Sequence, residues 1–398
     1  MSDNAKLVRE KLDQAVQILN EQNIDAWMTF VRETSMTPDP CLDLILGMDM
    51  VWQSAFIVTK DNQRIALVGA HDAENVKAVE GYNRIIPYVQ GVRQDLVNVL
   101  VELNPARLAL NYSEDDVAAD GLGHGLMMML QHYLGDSQVA ESFISSETIV
   151  SALRGRKSPS EVKRIKEAVD KSQAIFDQVG SVIRPGKSEL EIAEFAHRLL
   201  YMEGLGTAWD SAYCPAVNAG PDSPVGHGGP TAKYKVKPGM LIHMDFGVKH
   251  DNYCADLQRM WYVRKSRTEG LPSVIQKAFN AAHKALLAGF KALKPGVEGW
   301  QVDDAARQTL VAEGYPEYQH AFGHHLGRMA HDGSTVLGPR WERYGRTPFG
   351  VVEEGNVFAI ELGVAVPGYG YIGLEENVQV TAKGAKWLSE PQTDIWLI

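Results

Sequence analysis

Apolar residues recur every three or four positions at the start of the chain. Val8, Leu12, Val16 and Leu19 fall on one side of a helix, so the opening segment is predicted to be an amphipathic helix. Three apolar runs follow, DAWMTFV, WQSAFIV and RIALVG, and each is typical of a short strand. Helical stretches such as DAENVKAVEG lie between the strands, which predicts a compact α/β domain from about residue 25 to 145.

The pattern changes near residue 150. The stretch LRGRKSPSEVKRI contains a helix start, in which Ser158 is the N-cap and Glu161, three positions later, completes a capping box. We therefore predict an N-terminal domain at 1–150, a linker at 151–158 and a second domain at 159–398.

The second domain nearly repeats itself. RPGKSELEIAEFAHRLLYMEGLG and KPGVEGWQVDDAARQTLVAEGYP align at an offset of 110, which pairs Gly186 with Gly296. Further along the chain, an offset of 116 pairs Asp245 with Glu361. The sequence therefore predicts two similar halves that face each other across a pseudo-two-fold axis.

Two acids interrupt an apolar hairpin in the first of these halves. The stretch LIHMDFGVKHDNYCADLQRMWYV predicts two strands carrying Asp245 and Asp256. A turn centred on His250 and Asp251 would place these acids opposite each other, with Cβ atoms about 4.5 to 5.5 Å apart. Two carboxylates this close repel, so we expect a cation between them or a proton on one. The alternative is that one acid faces solvent and the other pairs with a base such as Arg259.

The second half offers the same arrangement. One acid lies in the apolar strand VFAIELGVAV and another follows in GLEENVQVT. Four converging carboxylates would balance two divalent cations, and oxygen ligands favour Mn, Co or Zn over thiolate-selected ions. The stretch HAFGHHLGRMAHDG holds four of the twelve histidines and could supply an imidazole ligand, although any one such histidine alone is more often a packed or surface residue than a ligand.

Composition narrows the class of protein. A chain of 398 residues with 45% apolar content predicts two or three domains with large cores. The net charge of −11 and the absence of a Lys/Arg-rich run argue against binding to nucleic acid or to an anionic membrane, and favour small or peptidic substrates.

Features of the sequence also predict a location. The three cysteines form no C-x-x-C motif, the N-terminus has no signal-type apolar region, and no run of 18 apolar residues occurs. We therefore expect a cytoplasmic protein.

The order and spacing of these motifs resemble the pita-bread metallopeptidase family, which includes methionine aminopeptidase, aminopeptidase P and prolidase. The resemblance covers about residues 155 to 385 and consists of a histidine in VGHGG, aspartates 11 apart, GHHLG with a second histidine seven positions on, and glutamates 14 apart. It implies an α+β fold, with a C-terminal pita-bread domain that is internally duplicated about a pseudo-two-fold axis. The preceding region resembles the smaller α/β creatinase-type domain of the Xaa-Pro enzymes.

The resemblance also implies a metal site and a mechanism. Two divalent ions, Mn most of all and Co or Zn as alternatives, would be held by Asp245, Asp256, His324, Glu361 and Glu375, with Asp256 and Glu375 bridging both. A hydroxide shared by the ions would attack the scissile carbonyl.

Three side chains would assist this reaction by resemblance. Glu361 would carry the proton, His331 would stabilise the oxyanion, and His227 would contact the substrate backbone.

The substrate implied by the resemblance is a peptide with proline in second position. HAFGHHLG resembles the H-G-x-x-H-x-x-G segment of aminopeptidase P and prolidase, in which His320 would line the proline pocket. A homodimer is expected on the same basis.

The chain departs from the family pattern at two places. Leu362 follows the first glutamate, where the family usually has the proline of E-P-G. Gly373 and Leu374 precede the second glutamate, where the Xaa-Pro enzymes commonly have the arginine and isoleucine of R-I-E-D. A broader aminopeptidase, a metal-dependent hydrolase or lyase of a small non-peptide metabolite, and a non-catalytic binding module are the alternatives.

Overall fold

A computed structural model describes residues 3–135, 137–226 and 228–398. The chain divides into two compact units, Met1–Arg154 and Gly155–Ile398. Within the part of the chain that the structure describes, no helix is long and apolar enough to cross a membrane.

The first unit is built around one mixed sheet. Its strands are β1 Ala26–Val31, β2 Ser54–Thr59, β3 Arg64–Gly69, β4 Arg84–Tyr88, β5 Leu108–Leu110 and β6 Phe143–Ser145, in the order β4-β3-β2-β1-β5-β6. The helices of this part of the chain are α1 Asp3–Glu21, α2 Leu42–Ile45, α3 Ala73–Ala78, α4 Arg93–Leu103, α5 His124–Leu134 and α6 Glu147–Gly155, with short 3-10 helices at Val117–Ala119 and Gln138–Ser142.

The predicted elements of this unit are confirmed. Val8, Leu12 and Leu19 on α1 are fully buried and Val16 is partly buried, because one side of the helix packs into the core. The three apolar runs form β1, β2 and β3, and the helical stretch after them contains α3.

The second unit is larger and is dominated by an antiparallel sheet. Its helices are α7 Pro159–Gly180, α8 Glu189–Glu203, α9 Ser273–Ala292 and α10 Gly299–Ala312, with short 3-10 helices at Glu342–Tyr344 and Thr347–Phe349. Its strands are β7 Gly206–Thr207, β8 Ala216–Ala219, β9 Leu241–Phe246, β10 Val248–His250, β11 Tyr253–Cys254, β12 Leu257–Tyr262, β13 Gly323–His325, β14 Val357–Val366, β15 Gly370–Thr381, β16 Gly384–Trp387 and β17 Trp396–Leu397.

The strands of this unit form two sheets. The main sheet has the order β13-β14-β15-β12-β9-β8, with β16 paired to β15 and β17 paired to β12. A smaller sheet has the order β11-β10-β7.

The internal duplication is visible in matched backbone conformations. Each half contains two helices followed by a long hairpin, and the second helix of each half, α8 or α10, begins with a capping box. Gly186 and Gly296 precede these helices with φ of +93° and +88°, and Gly239 and Gly355 precede the hairpins with φ of +86° and +89°. Positive φ favours glycine, so the repeated glycines mark the same turns in both halves.

One face of the main sheet packs on helices. Ile360 and Leu362 of β14 are buried in a core that includes Phe279 of α9 and Leu310 of α10. Because side chains alternate along a strand, Glu361 between them projects from the other face.

The predicted register of the first hairpin is wrong by two residues. The turn is centred on Asp251 and Asn252, which have φ of 47° and 63°, and Asp245 lies opposite Gln258 rather than opposite Asp256. Aspartate and asparagine tolerate the left-handed conformation that a two-residue hairpin turn requires, which explains the position of the turn. A shift of two residues preserves the alternation, so Asp256 and Gln258 both share the face of Asp245.

Candidate metal centre

One row of polar residues crosses four adjacent strands of the main sheet. Asp245 on β9 lies opposite Gln258 on β12, Gln258 lies opposite Glu375 on β15, and Glu375 lies opposite Glu361 on β14. Directly opposed residues of antiparallel strands project from the same face with Cβ atoms about 4.5 to 5.5 Å apart. The fold therefore brings three of the predicted acids from both halves into one line.

Asp256 and His324 complete the group beside this row. His324 Nε2 lies 3.8 Å from Asp256 Oδ2 and 3.8 Å from Glu375 Oε1. Asp256, His324 and Glu375 each offer one ligand atom, and these three atoms lie within 4.8 Å of one another. Asn377 holds Asp256 in place, because its side chain accepts a hydrogen bond from the Asp256 backbone N–H at 3.1 Å and donates one to the Asp256 carbonyl at 2.6 Å.

The ring of His324 is oriented as a ligand requires. Its Nδ1 lies 3.1 Å from the carbonyl oxygen of Ala330, which can only accept a hydrogen bond. The proton therefore belongs on Nδ1, and the lone pair of Nε2 points toward the acids. A backbone acceptor that fixes the second ring nitrogen in this way is typical of metal-binding histidines.

The acids need a positive partner. Burial, together with the charge of Glu361, raises the pKa of Asp245 to about 8. Burial and the neighbouring carboxylates also raise the pKa of Asp256 and of Glu375. Among the described residues no hydrogen-bond partner reaches the buried Oδ1 of Asp245. A divalent cation would neutralise the repulsion and occupy that oxygen, so the side chains fit a metal.

The protein cation suggested by the sequence, Arg259, is used elsewhere. Arg259 forms a two-pronged ion pair with Glu376, with Nη1 3.0 Å from Oε1 and Nη2 3.1 Å from Oε2. The two side chains are only 2% and 1% exposed. The alternative in which Arg259 pairs with one of the two hairpin aspartates is therefore wrong, because alternation along β12 and β15 directs Arg259 and Glu376 away from the acid row.

Two of the accessory histidines lie beside the acids. The ring of His331 is 4.4 Å from that of His324, in an edge-to-face arrangement. His320 Nδ1 lies 2.8 Å from the Ala321 carbonyl oxygen and 3.9 Å from Glu361 Oε1. His227 lies outside the described residues, so its predicted contact with substrate stays a prediction.

The sequence interpretation missed the neutral residues of the site. Gln258 donates from Nε2 to Glu361 Oε2 and to Glu375 Oε2, both at 3.0 Å, and its Oε1 lies 2.7 Å from His243 Nε2. A signal was available, because His243 and Gln258 interrupt apolar strands two positions from Asp245 and Asp256, and residues two apart share a face.

Comparison with known proteins identifies the family. Residues 163–382 match Metallopeptidase family M24. The chain belongs to this family. As a member of M24 it is a metallopeptidase with a divalent-metal site, which confirms the family predicted from the motifs. The M24 chain is 28% identical over 271 residues to the Xaa-Pro dipeptidase of Lactobacillus helveticus, an alignment that spans 67% of this chain and 69% of that protein.

Solved structures confirm the fold of this M24 protein. It resembles an Xaa-Pro dipeptidase from Bacillus anthracis with a TM-score of 0.76 and 22% identity, over 98% of this chain and 100% of that one. It also resembles an X-Pro aminopeptidase from Thermotoga maritima with a TM-score of 0.72 and 23% identity, over 97% and 99% of the two chains. The predicted α+β class, with a pita-bread domain preceded by an N-terminal domain, is therefore correct.

Proposed function

We propose that this metallopeptidase is an exopeptidase that hydrolyses the Xaa-Pro bond at the N-terminus of peptides or in dipeptides. The observation that carries the proposal is the row of Asp245, Glu375 and Glu361 with Asp256 and His324 beside it. The names of the M24 relatives, Xaa-Pro dipeptidase and X-Pro aminopeptidase, support the choice of substrate.

The proposed site holds two divalent cations, with manganese favoured. Four carboxylates carry about four negative charges when ionised, which matches two divalent ions, and their oxygen atoms suit a hard or borderline metal. Asp245, Asp256, His324, Glu361 and Glu375 would hold these ions, with Asp256 and Glu375 as ligands of both. When bound, such a pair of ions acts as a Lewis acid and lowers the pKa of water, so that a nucleophile is available at neutral pH.

Glu361 is the acid best placed to move a proton. Its side chain is 24% exposed, whereas that of Glu375 is 2% exposed, so Glu361 is the glutamate of this pair that substrate and solvent reach more readily. Oε1 of Glu361 is free of the Gln258 amide, which contacts Oε2. A proton acceptor must come within hydrogen-bond reach of the reacting group, and Glu361 meets this requirement at the open side of the row.

His331, His320 and His227 are the proposed contacts to substrate. His331 lies beside His324 at an exposed position and would donate a hydrogen bond to the developing oxyanion. His320 already has Nδ1 on the Ala321 carbonyl, so its remaining ring edge would line the proline pocket. His227 would contact the peptide backbone near the scissile bond.

The function is tested by turnover of three peptides. Ala-Pro, Ala-Pro-Ala and Ala-Ala-Ala are incubated with protein loaded separately with Mn²⁺, Co²⁺ or Zn²⁺. We expect cleavage before proline and slower cleavage of Ala-Ala-Ala. The comparison of Ala-Pro with Ala-Pro-Ala separates a dipeptidase from an aminopeptidase. Metal-loaded protein that cleaves none of the three would contradict the proposal.

A second candidate is hydrolysis of a small non-peptide amide at the same centre. It is favoured by the departure from R-I-E-D, because Gly373 stands where the Xaa-Pro enzymes commonly have arginine. The polar side chains of His243 and Gln258 occupy the space that a side chain at position 373 would fill. The inactivity of metal-loaded protein toward all three peptides, combined with turnover of a cyclic or acyl amide, would support this candidate.

A further inference from the structure

Gln258 occupies the centre of the acid row. It is 6% exposed and lies directly between Asp245 and Glu375 across the sheet. Its single amide nitrogen donates one hydrogen bond to Glu361 and one to Glu375 at equal distances of 3.0 Å. A neutral side chain therefore links the two glutamates of the second half to the hairpin of the first half.

A hydrogen bond to the amide oxygen of Gln258 fixes the orientation of the amide. Gln258 Oε1 lies 2.7 Å from His243 Nε2. Carboxylates that bind a metal are ionised and only accept hydrogen bonds, so the amide nitrogen must face the glutamates and the amide oxygen must accept from Nε2–H of His243. His243 is 4% exposed, so water does not readily replace this contact.

A missing side chain makes room for this network. A Cβ at position 373 would overlap Gln258 Oε1 and His243 Nε2. Gly373 lies opposite Gly363, where a Cβ would overlap the hydroxyl of Tyr371, and the Tyr371 ring packs edge-to-face on His243 at 5.5 Å. Gly373 therefore leaves the space in which His243 and Gln258 lie, and Gly363 leaves the space for the Tyr371 ring that packs on His243.

We propose that Gln258 is a positioning residue, which sets the rotation of the Glu361 and Glu375 carboxylates and so prepares both for metal binding. The amide contacts Oε2 of each glutamate. Oε1 of Glu375 then lies 3.8 Å from His324 Nε2, and Oε1 of Glu361 faces His320 at 3.9 Å. His243 acts through Gln258 by holding the amide. This inference rests on the metal site of the proposed function and does not depend on the substrate.

The first test measures binding of Co²⁺ alone to Gln258→Met, which keeps the length of the side chain and removes both donors. We expect the affinity for Co²⁺ to fall about 10- to 100-fold, the usual effect of removing a group that orients metal ligands. We also expect the visible absorption spectrum of the bound Co²⁺ to change, because the carboxylates rotate. A purely structural role would lower thermal stability without altering the spectrum.

Gln392→Met is the matched control. Gln392 is also buried, and its side chain bonds the backbone N–H and carbonyl of Met260 on the same strand, both at 2.9 Å. Its loss removes two hydrogen bonds from β12 without touching an acid of the row. We expect a lower Tm, with the affinity and spectrum of Co²⁺ unchanged.

A second pair of variants leaves Gln258 in place. Gly373→Ala should displace the amide and reproduce the weaker binding and altered spectrum of Co²⁺. Gly270→Ala, at a position where a Cβ meets nothing within 4 Å, should bind Co²⁺ as wild type does. This pair tests the inference even where Gln258→Met fails to fold.

His243→Phe tests the order of the contacts. We expect this variant to weaken Co²⁺ binding in the wild-type background and to add nothing in the Gln258→Met background, because His243 acts through the amide. Equal losses in both backgrounds would overturn this order.

The results separate this inference from the proposed function. Wild-type affinity and spectrum in both Gln258→Met and Gly373→Ala would overturn the role of Gln258, whereas the metal site would stand. If wild type binds Co²⁺ no more tightly than Asp256→Asn, the metal site itself is contradicted and both proposals fail. Normal Co²⁺ results with no cleavage of any peptide would contradict only the substrate.

Discussion

At the scale of single residues, two acids of the candidate metal centre are unfavourable to folding on their own. Asp256 and Glu375 are almost completely buried, and their pKa values are raised by burial and by the neighbouring carboxylates. Such groups are unfavourable to the fold unless a cation is bound. Their presence in the sheet therefore supports the proposal that they bind a metal rather than stabilise the fold.

The first prediction concerns these two acids. Asp256→Asn or Glu375→Gln should abolish turnover and reduce bound metal, because each removes a charge and a ligand from the proposed site. The metal content of purified protein, measured by mass spectrometry, and cleavage of Ala-Pro check the result. Near-normal turnover in either variant would show that the ligand assignment is wrong.

The second prediction separates the two accessory histidines. His331→Ala should lower kcat by a factor that corresponds to about 2.7 to 4 kcal/mol in the transition state, with metal content retained, because it removes a donor to the oxyanion. His320→Ala should instead reduce the preference for Ala-Pro-Ala over Ala-Ala-Ala. Rates for both peptides, measured with metal-saturated protein, distinguish the two roles. An equal loss for both peptides in His320→Ala would contradict a proline pocket.

At the scale of elements, two consecutive glutamates of β15 have different roles. Glu375 faces the acid row, and Glu376 faces Arg259 on the other side of the sheet. Ser389 and the backbone N–H of Gln392 also donate to Glu376, at 2.6 and 2.9 Å. The two glutamates have the same chemistry, but among the described residues only Glu376 has an arginine or lysine as its partner.

The third prediction follows from this contrast. Glu376→Gln should lower the free energy of unfolding by about 3 to 5 kcal/mol, because it leaves the buried Arg259 charge unpaired. Glu375→Gln should leave the metal-free protein at least as stable as wild type, because it relieves repulsion between carboxylates. Denaturant unfolding with a chelator present measures both. A similar loss of stability in the two variants would contradict the division of roles.

The elements were predictable from sequence where periodicity or capping chemistry was strong. The helix starting after Ser158 and the strands β1 to β3 were correct for this reason. The register of the β9–β12 hairpin was not, because the choice of turn residues depends on which of His250, Asp251 and Asn252 adopts positive φ. The proposed role of Gln258 could be inferred only from the register of the strands. A neutral side chain in an apolar strand does not create the charge repulsion that draws attention to a buried acid.

At the scale of the whole molecule, the stability of the protein should depend on pH and metal together. In the folded protein without metal, the pKa of Asp245 rises from 3.8 to about 8. Between these values the unfolded chain ionises first, so the free energy of unfolding falls as the pH rises through this interval. A bound cation displaces the protons and reverses the effect, because metals and protons compete for the same oxygens.

The fourth prediction is therefore that the increase in Tm produced by Mn²⁺ is larger at about pH 8 than at about pH 5. Thermal unfolding of chelator-treated and Mn²⁺-loaded protein at both values provides the measurement. The matched control is Asp256→Asn, in which the increase should be small at each pH. A metal-induced increase that is the same at both values in wild type would contradict the coupling.

The left-handed turn at Asp251 and Asn252 also restricts how the length of this hairpin can change. Removal or insertion of a single residue between β9 and β12 would exchange the two faces of β12 relative to β9. Removal would bring Arg259 into the line of acids and turn Gln258 toward Glu376, and insertion would bring Leu257 into the line of acids. Insertions or deletions of one residue in this short segment are thus incompatible with the site, even though the segment lies at a surface turn where changes in length are usually tolerated.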